Sequence, residues 1–248
     1  MSAMALDADQ LARARKYEWA PLEMMLEQMY PPIYRMAHGL TGREATAQNV
    51  IDRILRQAME RVTDWRDAES AERWFYHHTL LAARETAETQ KPEPDKDLLV
   101  QLCENATPAY VAFIRGIRNL PVQQREAFLL HHGEHLNTRH MATAMDCSTK
   151  AAEMHLDASH DALEPIAGDA FVALRERLTR AYALLAPNEA TVRPTVRRYV
   201  SRVIIPMRVK RTARLILLSS LLLFTVIVAW SRRDQIPFLG ELAKYLGY

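Results

Sequence analysis

Apolar positions along this chain recur at spacings of three and four residues, the period of helices that bury one face, and no stretch alternates as a half-buried strand does. After Gly42, Ile51, Ile54, Leu55 and Ala58 follow that spacing; after Ser70, a residue suited to cap a helix start, so do Trp74, Phe75, His78, Leu81 and Ala82. Residues 18–90 therefore predict three helices. The run Lys91-Pro92-Glu93-Pro94-Asp95-Lys96-Asp97 joins two prolines to alternating charge, which disfavours helix and leaves little to bury. We read 91–107 as a linker.

A second helical block spans 108–164. Asn119 stands where an N-cap belongs, Pro121 fits the first turn, and a helix carrying Phe128 and Leu129 ends at Gly133. Met141, Ala142 and Met145 then mark one side of a short helix. Asp146-Cys147-Ser148 makes a tight turn with Ser148 as cap. Ala152, Leu156, Ser159 and Leu163 follow at i, i+4, i+7 and i+11, the spacing of a helix packed by one face. Short helix, tight turn and helix together form a helix-turn-helix pattern. A connecting helix is expected over 165–190. The fold class that follows is all-α, two small helical domains with a C-terminal transmembrane helix.

That last element rests on Leu215 to Ser231, seventeen residues without a charge, long enough for about 25 Å at 1.5 Å per residue. Arg214 and Arg232 can extend the span by snorkelling, and Trp230 suits an interface, so 213–231 predicts a membrane crossing. On its N-terminal side lie Arg197, Arg198, Arg202, Arg208, Lys210, Arg211 and Arg214, against Arg232, Arg233 and Lys244 beyond it. The positive-inside rule then predicts a single-pass inner (cytoplasmic) membrane protein with its N-terminal domains in the cytoplasm and 232–248 as a short outer tail. Within 191–212, Val196, Tyr199, Val200, Val203, Ile204 and Met207 form an apolar stripe flanked by arginines. Such a stripe predicts a basic juxtamembrane helix lying on anionic lipid, with Arg208, Lys210, Arg211, Arg214 and Trp230 as the membrane-contacting set.

Charge changes this picture in one respect. The net charge of +2 conceals eleven Lys/Arg in 191–248 against only Asp234 and Glu241, which leaves 21 of the 32 basic and 28 of the 30 acidic residues in 1–190. The globular part is acidic, so the basic total says nothing for nucleic-acid binding by the domains. Cys103 and Cys147 have no metal-type spacing and read as reduced thiols. His131 and His135 stand at i, i+4 but lack a third ligand at helical spacing. No metal or cofactor is expected. No nucleophile–base set, phosphate-cradling glycine loop or carboxylate pair can be assembled either, so an enzyme is not expected.

Three stretches resemble the extracytoplasmic-function sigma factors, two-domain bacterial promoter-recognition subunits of RNA polymerase. Tyr34-Arg35-Met36-Ala37-His38-Gly39-Leu40-Thr41-Gly42-Arg43, running on through Ala47-Gln48-Asn49-Val50-Ile51-Asp52-Arg53-Ile54-Leu55, resembles the family's polymerase-binding helix. Arg73-Trp74-Phe75-Tyr76 resembles its "TWLY" segment. Leu120-Pro121-Val122-Gln123-Gln124-Arg125-Glu126-Ala127-Phe128-Leu129-Leu130 resembles the "LPxxxRExFLL" opening of its promoter-binding domain, and Cys147-Ser148 begins a recognition-helix counterpart. The resemblance covers residues 25–163 and implies a region 2-like domain over 18–90 and a region 4-like domain over 108–164. It implies core RNA polymerase as partner and promoter DNA as a further one, with an anti-sigma or regulatory membrane protein as a third. Under it Arg53, Arg56, Trp74 and Tyr76 stand in the polymerase and opened-strand region, while Arg139, Ser148, Thr149, Lys150 and His155 approach duplex DNA.

The chain departs from the family in charge. Gln48, Asn49 and Arg53 replace its acidic positions, and His77-His78-Thr79-Leu80-Leu81 replaces the basic continuation of "TWLY". Glu153, Asp157 and Asp161 occupy the second helix of the turn motif, where groove reading calls for Arg, Lys, Asn or Gln. Two functions therefore follow: a membrane-tethered sigma-like transcription regulator, or a sigma-fold adaptor anchored at the membrane that binds protein and no DNA.

Overall fold

The computed structural model describes residues 7–87 and 96–231, and every regular element among them is helical. The chain divides into two compact units, 1–200 and 201–248.

In the first unit, α1 (Ala8–Arg15) precedes the predicted helices and starts on a capping box. The Gln10 backbone N–H donates to Asp7 Oδ1 at 2.7 Å and that of Asp7 to Gln10 Oε1 at 3.2 Å. Three helices then bundle: α2 (Trp19–Thr41), α3 (Glu44–Arg61) and α4 (Ala68–Ala87). Leu22, Met25, Leu26, Met29, Ile33 and Met36 on α2 meet Val50, Ile51, Ile54 and Leu55 on α3 and Phe75 and Leu80 on α4, all at most 1% exposed. The α2 helix stops at Gly42, whose left-handed φ of 66° satisfies a last-turn carbonyl through its own N–H. A side chain at 42 would be strained, and its Cβ would stand 2.7 Å from the Asp97 carboxylate. Ser70 does not cap α4. Asp67 does, its Oδ1 accepting from the Ser70 N–H at 2.7 Å, because the helix begins one turn earlier than the apolar spacing alone suggests.

Part of the expected linker is ordered. Its residues 91–95 lie outside the described residues, but α5 (Leu98–Gln101) is capped by Asp97 and tied to the end of α2 by Leu98 N–H to Gly42 C=O at 3.0 Å. Next come α6 (Pro108–Asn119), capped by Thr107, and α7 (Val122–His132). Asn119 is thus the last residue of α6 rather than a cap, since Pro121 itself holds the extended position before α7. Then α8 (Thr138–Met145) and α9 (Thr149–Ala167) follow at the spacing the sequence predicted. Met141, Ala142 and Met145 are buried, as are Ala152, Leu156, Ser159 and Leu163. The region 165–190 is not one helix. Pro165 lies inside the last turn of α9, Gly168, with φ +55°, ends that helix, and α10 (Phe171–Ala183) starts afresh.

The two helical blocks pack directly on one another, α4 on α8 and α2 on α7, with α10 touching α2 and α7. The seam is polar and tightly paired. Arg35 forks onto Glu134, Nε–Oε1 3.0 Å and Nη2–Oε2 2.7 Å. Arg84 forks onto Glu126 at 2.6 and 2.7 Å. Arg118 forks onto Asp97 at 2.6 and 3.1 Å while its Nη1 donates to the carbonyls of Gly39 and Leu40. The three carboxylates are 3%, 2% and 1% exposed. Tyr182 of α10, fully buried, fills the space left by two glycines: an added Cβ at Gly39 would come within 2.8 Å of its Cζ, and one at Gly133 within 2.7 Å of its Cδ2.

The last helix, α11 (Glu189–Ser231), begins in this unit. Here the structure corrects the lipid-facing stripe. Val196 and Val200 are fully buried and Tyr199 nearly so, its hydroxyl donating to Asp52 of α3, while Arg193 reaches Glu27 of α2 at 3.3 Å. Apolar side chains on a basic helix bury equally well against protein, and this unit supplies the surface. In the second unit, Thr212–Ser231 is long and apolar enough to cross a membrane and none of it is buried within the protein. Its hydroxyls are satisfied inside the helix, Ser219 and Ser220 donating to Ile216 C=O at 2.8 Å and Thr225 to Leu222 C=O at 2.7 Å, which removes their cost in hydrocarbon.

Candidate functional site

The turn motif is built from short-range rules. Asn137 caps α8 by accepting from the His140 N–H at 2.9 Å. Asp146 ends it in a left-handed conformation, φ 53° and ψ 50°, and Ser148 caps α9 by accepting from the Ala151 N–H at 3.1 Å. Ser148, Thr149 and Lys150 are exposed at the first turn of α9 and His155 is half-buried. Beyond Lys150, the exposed side of α9 offers Glu153, Asp157, Asp161 and Glu164. This face repels phosphate.

On α4, Trp74 stacks on His78 with centroids 4.3 Å apart, and Trp65 packs against Trp74 and Phe75 at 5.4 and 5.2 Å. His78 Nδ1 lies 2.9 Å from the Trp74 carbonyl, and burial holds its pKa below the ordinary imidazole value, so the ring is neutral at physiological pH. His77 Nδ1 meets the Ala144 carbonyl of α8 at 3.1 Å. Two clefts flank this α4–α8 contact and share Arg73 and Thr143. One, of about 300 Å³, is walled by Glu72, Tyr76, Arg139 and His140; the other, of about 490 Å³, by Trp65, Trp74, His78 and Arg61.

The structure thus gathers Trp74, Tyr76 and Arg139 around one helix crossing. Tyr76 is 9% exposed, beside Arg35 and Glu134, and burial raises its phenol far above the ordinary value. Arg53 and Arg56 line neither cleft. Arg53 pairs with Glu85, and Arg56 donates to the Asp52 carbonyl at 3.1 Å. In the membrane set Arg214 and Trp230 are exposed, whereas the side chains of Arg208, Lys210 and Arg211, like the outer tail 232–248, lie outside the described residues.

Sequence spacing drew attention to His131 and His135, but the structure pairs His132 of α7 with His160 of α9, Nε2 to Nε2 at 2.8 Å, between the rings of Phe128 and Phe171. One ring must donate and the other accept, so at least one is neutral, and burial lowers the pKa of both. Burial first, then His131 and His160, pushes His132 down to about 3. The clue was in the helical pattern, since position 160 neighbours Leu156 and Leu163 on the inner side of α9. No protein-family model, curated protein or solved structure matches the chain.

Proposed function

We propose that this protein is a membrane-tethered, sigma-like transcription regulator that works through core RNA polymerase, held at the inner membrane by Thr212–Ser231 with its helical unit in the cytoplasm. The carrying observation is the coincidence of two independent features. The "LPxxxRExFLL"-like stretch opens α7 directly ahead of a helix-turn-helix whose capping and core positions are all filled, and the bundle that resembles the polymerase-binding domain precedes it. The test is affinity purification of the full chain, solubilised in detergent from its own membranes. Stoichiometric core polymerase is the expected result, and its absence under mild salt refutes the proposal.

A second reading, an adaptor that binds protein without DNA, is favoured by the acidic outer face of α9. The two differ in salt response. Promoter-like duplex bound by several phosphate contacts gives a log–log salt slope of about 0.9 per contact. The adaptor gives no detectable duplex binding even at low salt.

A further inference from the structure

The smaller cleft at the α4–α8 crossing carries opposite charges on its two walls. Glu69, Glu72 and Tyr76 stand three and four residues apart on one side of α4, and Arg139 and His140 supply the other wall from the start of α8. The space they line, about 300 Å³, lies at the small end of ligand pockets, the scale of one amino acid rather than of a large cofactor. Arg139 engages Thr143 only through its backbone carbonyl, at 3.0 Å, and its guanidinium enters no ion pair among the described residues. On α4, Glu69 holds Arg73 only loosely, at 3.9 Å with both side chains exposed, a contact that an incoming charge displaces readily.

Tyr76 adds a polar group of a different kind. It is 9% exposed, yet its hydroxyl makes no hydrogen bond among the described residues and is not one of the polar atoms sealed from solvent. A phenol buried to this degree ordinarily gives its hydroxyl to a protein acceptor. Burial first, then Glu134 and Glu72, raise its pKa against the opposing pull of Arg35, so the hydroxyl keeps its proton and can donate to a group in the cleft. Leu136 and Ala144 give the lining an apolar part.

A donor hydroxyl beside a free guanidinium suits a carboxylate, the two glutamates suit an ammonium, and the short apolar surface suits a hydrocarbon side chain. We propose that this cleft binds a free apolar α-amino acid in its zwitterionic form, the carboxylate on Arg139 and the Tyr76 hydroxyl, the ammonium towards Glu69 and Glu72, and the side chain against Leu136 and Ala144. A nucleic-acid strand is the wrong partner for this cleft, because the glutamates repel it. One wall comes from each helical block, so occupancy favours their packed arrangement. The inference stands whether or not the protein engages polymerase.

Equilibrium dialysis of the full chain in detergent micelles against labelled L-leucine, and separately L-phenylalanine, provides the test. Saturable binding of at least one of them is expected. Leucinamide, which lacks the carboxylate, and N-acetyl-leucine, which lacks the ammonium, should each compete at least about ten-fold more weakly than leucine, the scale of a lost charged hydrogen bond. Arg139→Glu should raise the Kd by about ten-fold and Tyr76→Phe by about five-fold. Arg139 is exposed, so its variant keeps the experiment decisive if the tyrosine variant fails to fold. The inference is overturned by any of three results: no saturation by either amino acid in the millimolar range, competition by N-acetyl-leucine or leucinamide equal to that by leucine, or unchanged affinity in Arg139→Glu.

Discussion

The interior of the α2–α3–α4 bundle and the seam between the two helical blocks solve the same problem with different chemistry. The bundle interior is Leu, Met, Ile and Phe, attracted without direction, so it tolerates exchange of one apolar side chain for another of similar volume. The seam is three guanidinium–carboxylate forks with nearly inaccessible acids, which bind in one geometry only. Apolar burial makes each block fold, while the forks specify how one block sits on the other. Buried ion pairs are poor general stabilisers, and their better-attested use is to fix a unique arrangement.

The largest effect should come from breaking the seam. Arg118→Met strands the Asp97 carboxylate and two carbonyls, and we expect a loss of about 3–5 kcal/mol, seen as a lower urea midpoint for the detergent-solubilised chain. In the bundle, Ile54→Ala should cost about 3 kcal/mol through transfer and cavity terms. Ile54→Val should recover most of that, whereas Arg118→Lys, which cannot fork, should recover little.

These differences explain what the sequence could and could not disclose. The positions of α8 and α9 were legible because Met141, Met145, Leu156 and Leu163 obey a local period. The seam was not, because Arg35 and Glu134 are 99 residues apart and neither lies on an apolar stripe that would predict burial. Asn119 and Ser70 misled for a related reason, since cap preference names a residue type and the start of the apolar run decides which such residue is used. The stripe at Val196, Tyr199 and Val200 was correctly read as something to be covered. Periodicity cannot distinguish lipid from protein as the cover. For the larger cleft, Trp74 was legible through resemblance, but Asp146 and Thr143 enter it only because α8 packs on α4.

Acidification tests a third kind of contact, the neutral imidazole pair joining α7 to α9. His132 is held below its unfolded value of about 6.5, so its contribution is complete above that pH and is lost as the pH falls from there towards 3. His131, His135 and Arg175 face it with positive or ionisable charge, and Asp157 and Glu164 oppose them near His160. Between pH 6.5 and 5 the loss should approach about 2 kcal/mol. His132→Gln should flatten the pH dependence of the urea midpoint, and a profile unchanged by that substitution would falsify the assignment. The smallest effect is expected at the exposed Arg53–Glu85 pair, where Glu85→Gln should change stability by less than about 0.5 kcal/mol and vanish within error in 1 M salt.

Tyr182 has a consequence for descent as well as for packing. Its ring occupies the volume that side chains at positions 39 and 133 would need, and those positions belong to different blocks. Positions 39 and 182 therefore cannot drift independently: a larger residue at 39 demands a smaller one at 182, and a lost tyrosine leaves a hollow that 39 becomes free to fill, whereas the Leu129 carbonyl oxygen, 2.6 Å from an added Cβ, holds 133 to glycine in either case. Among diverged descendants of this gene, correlated change at 39 and 182 over an unchanged glycine at 133 would be the written trace of the two blocks having stayed clasped.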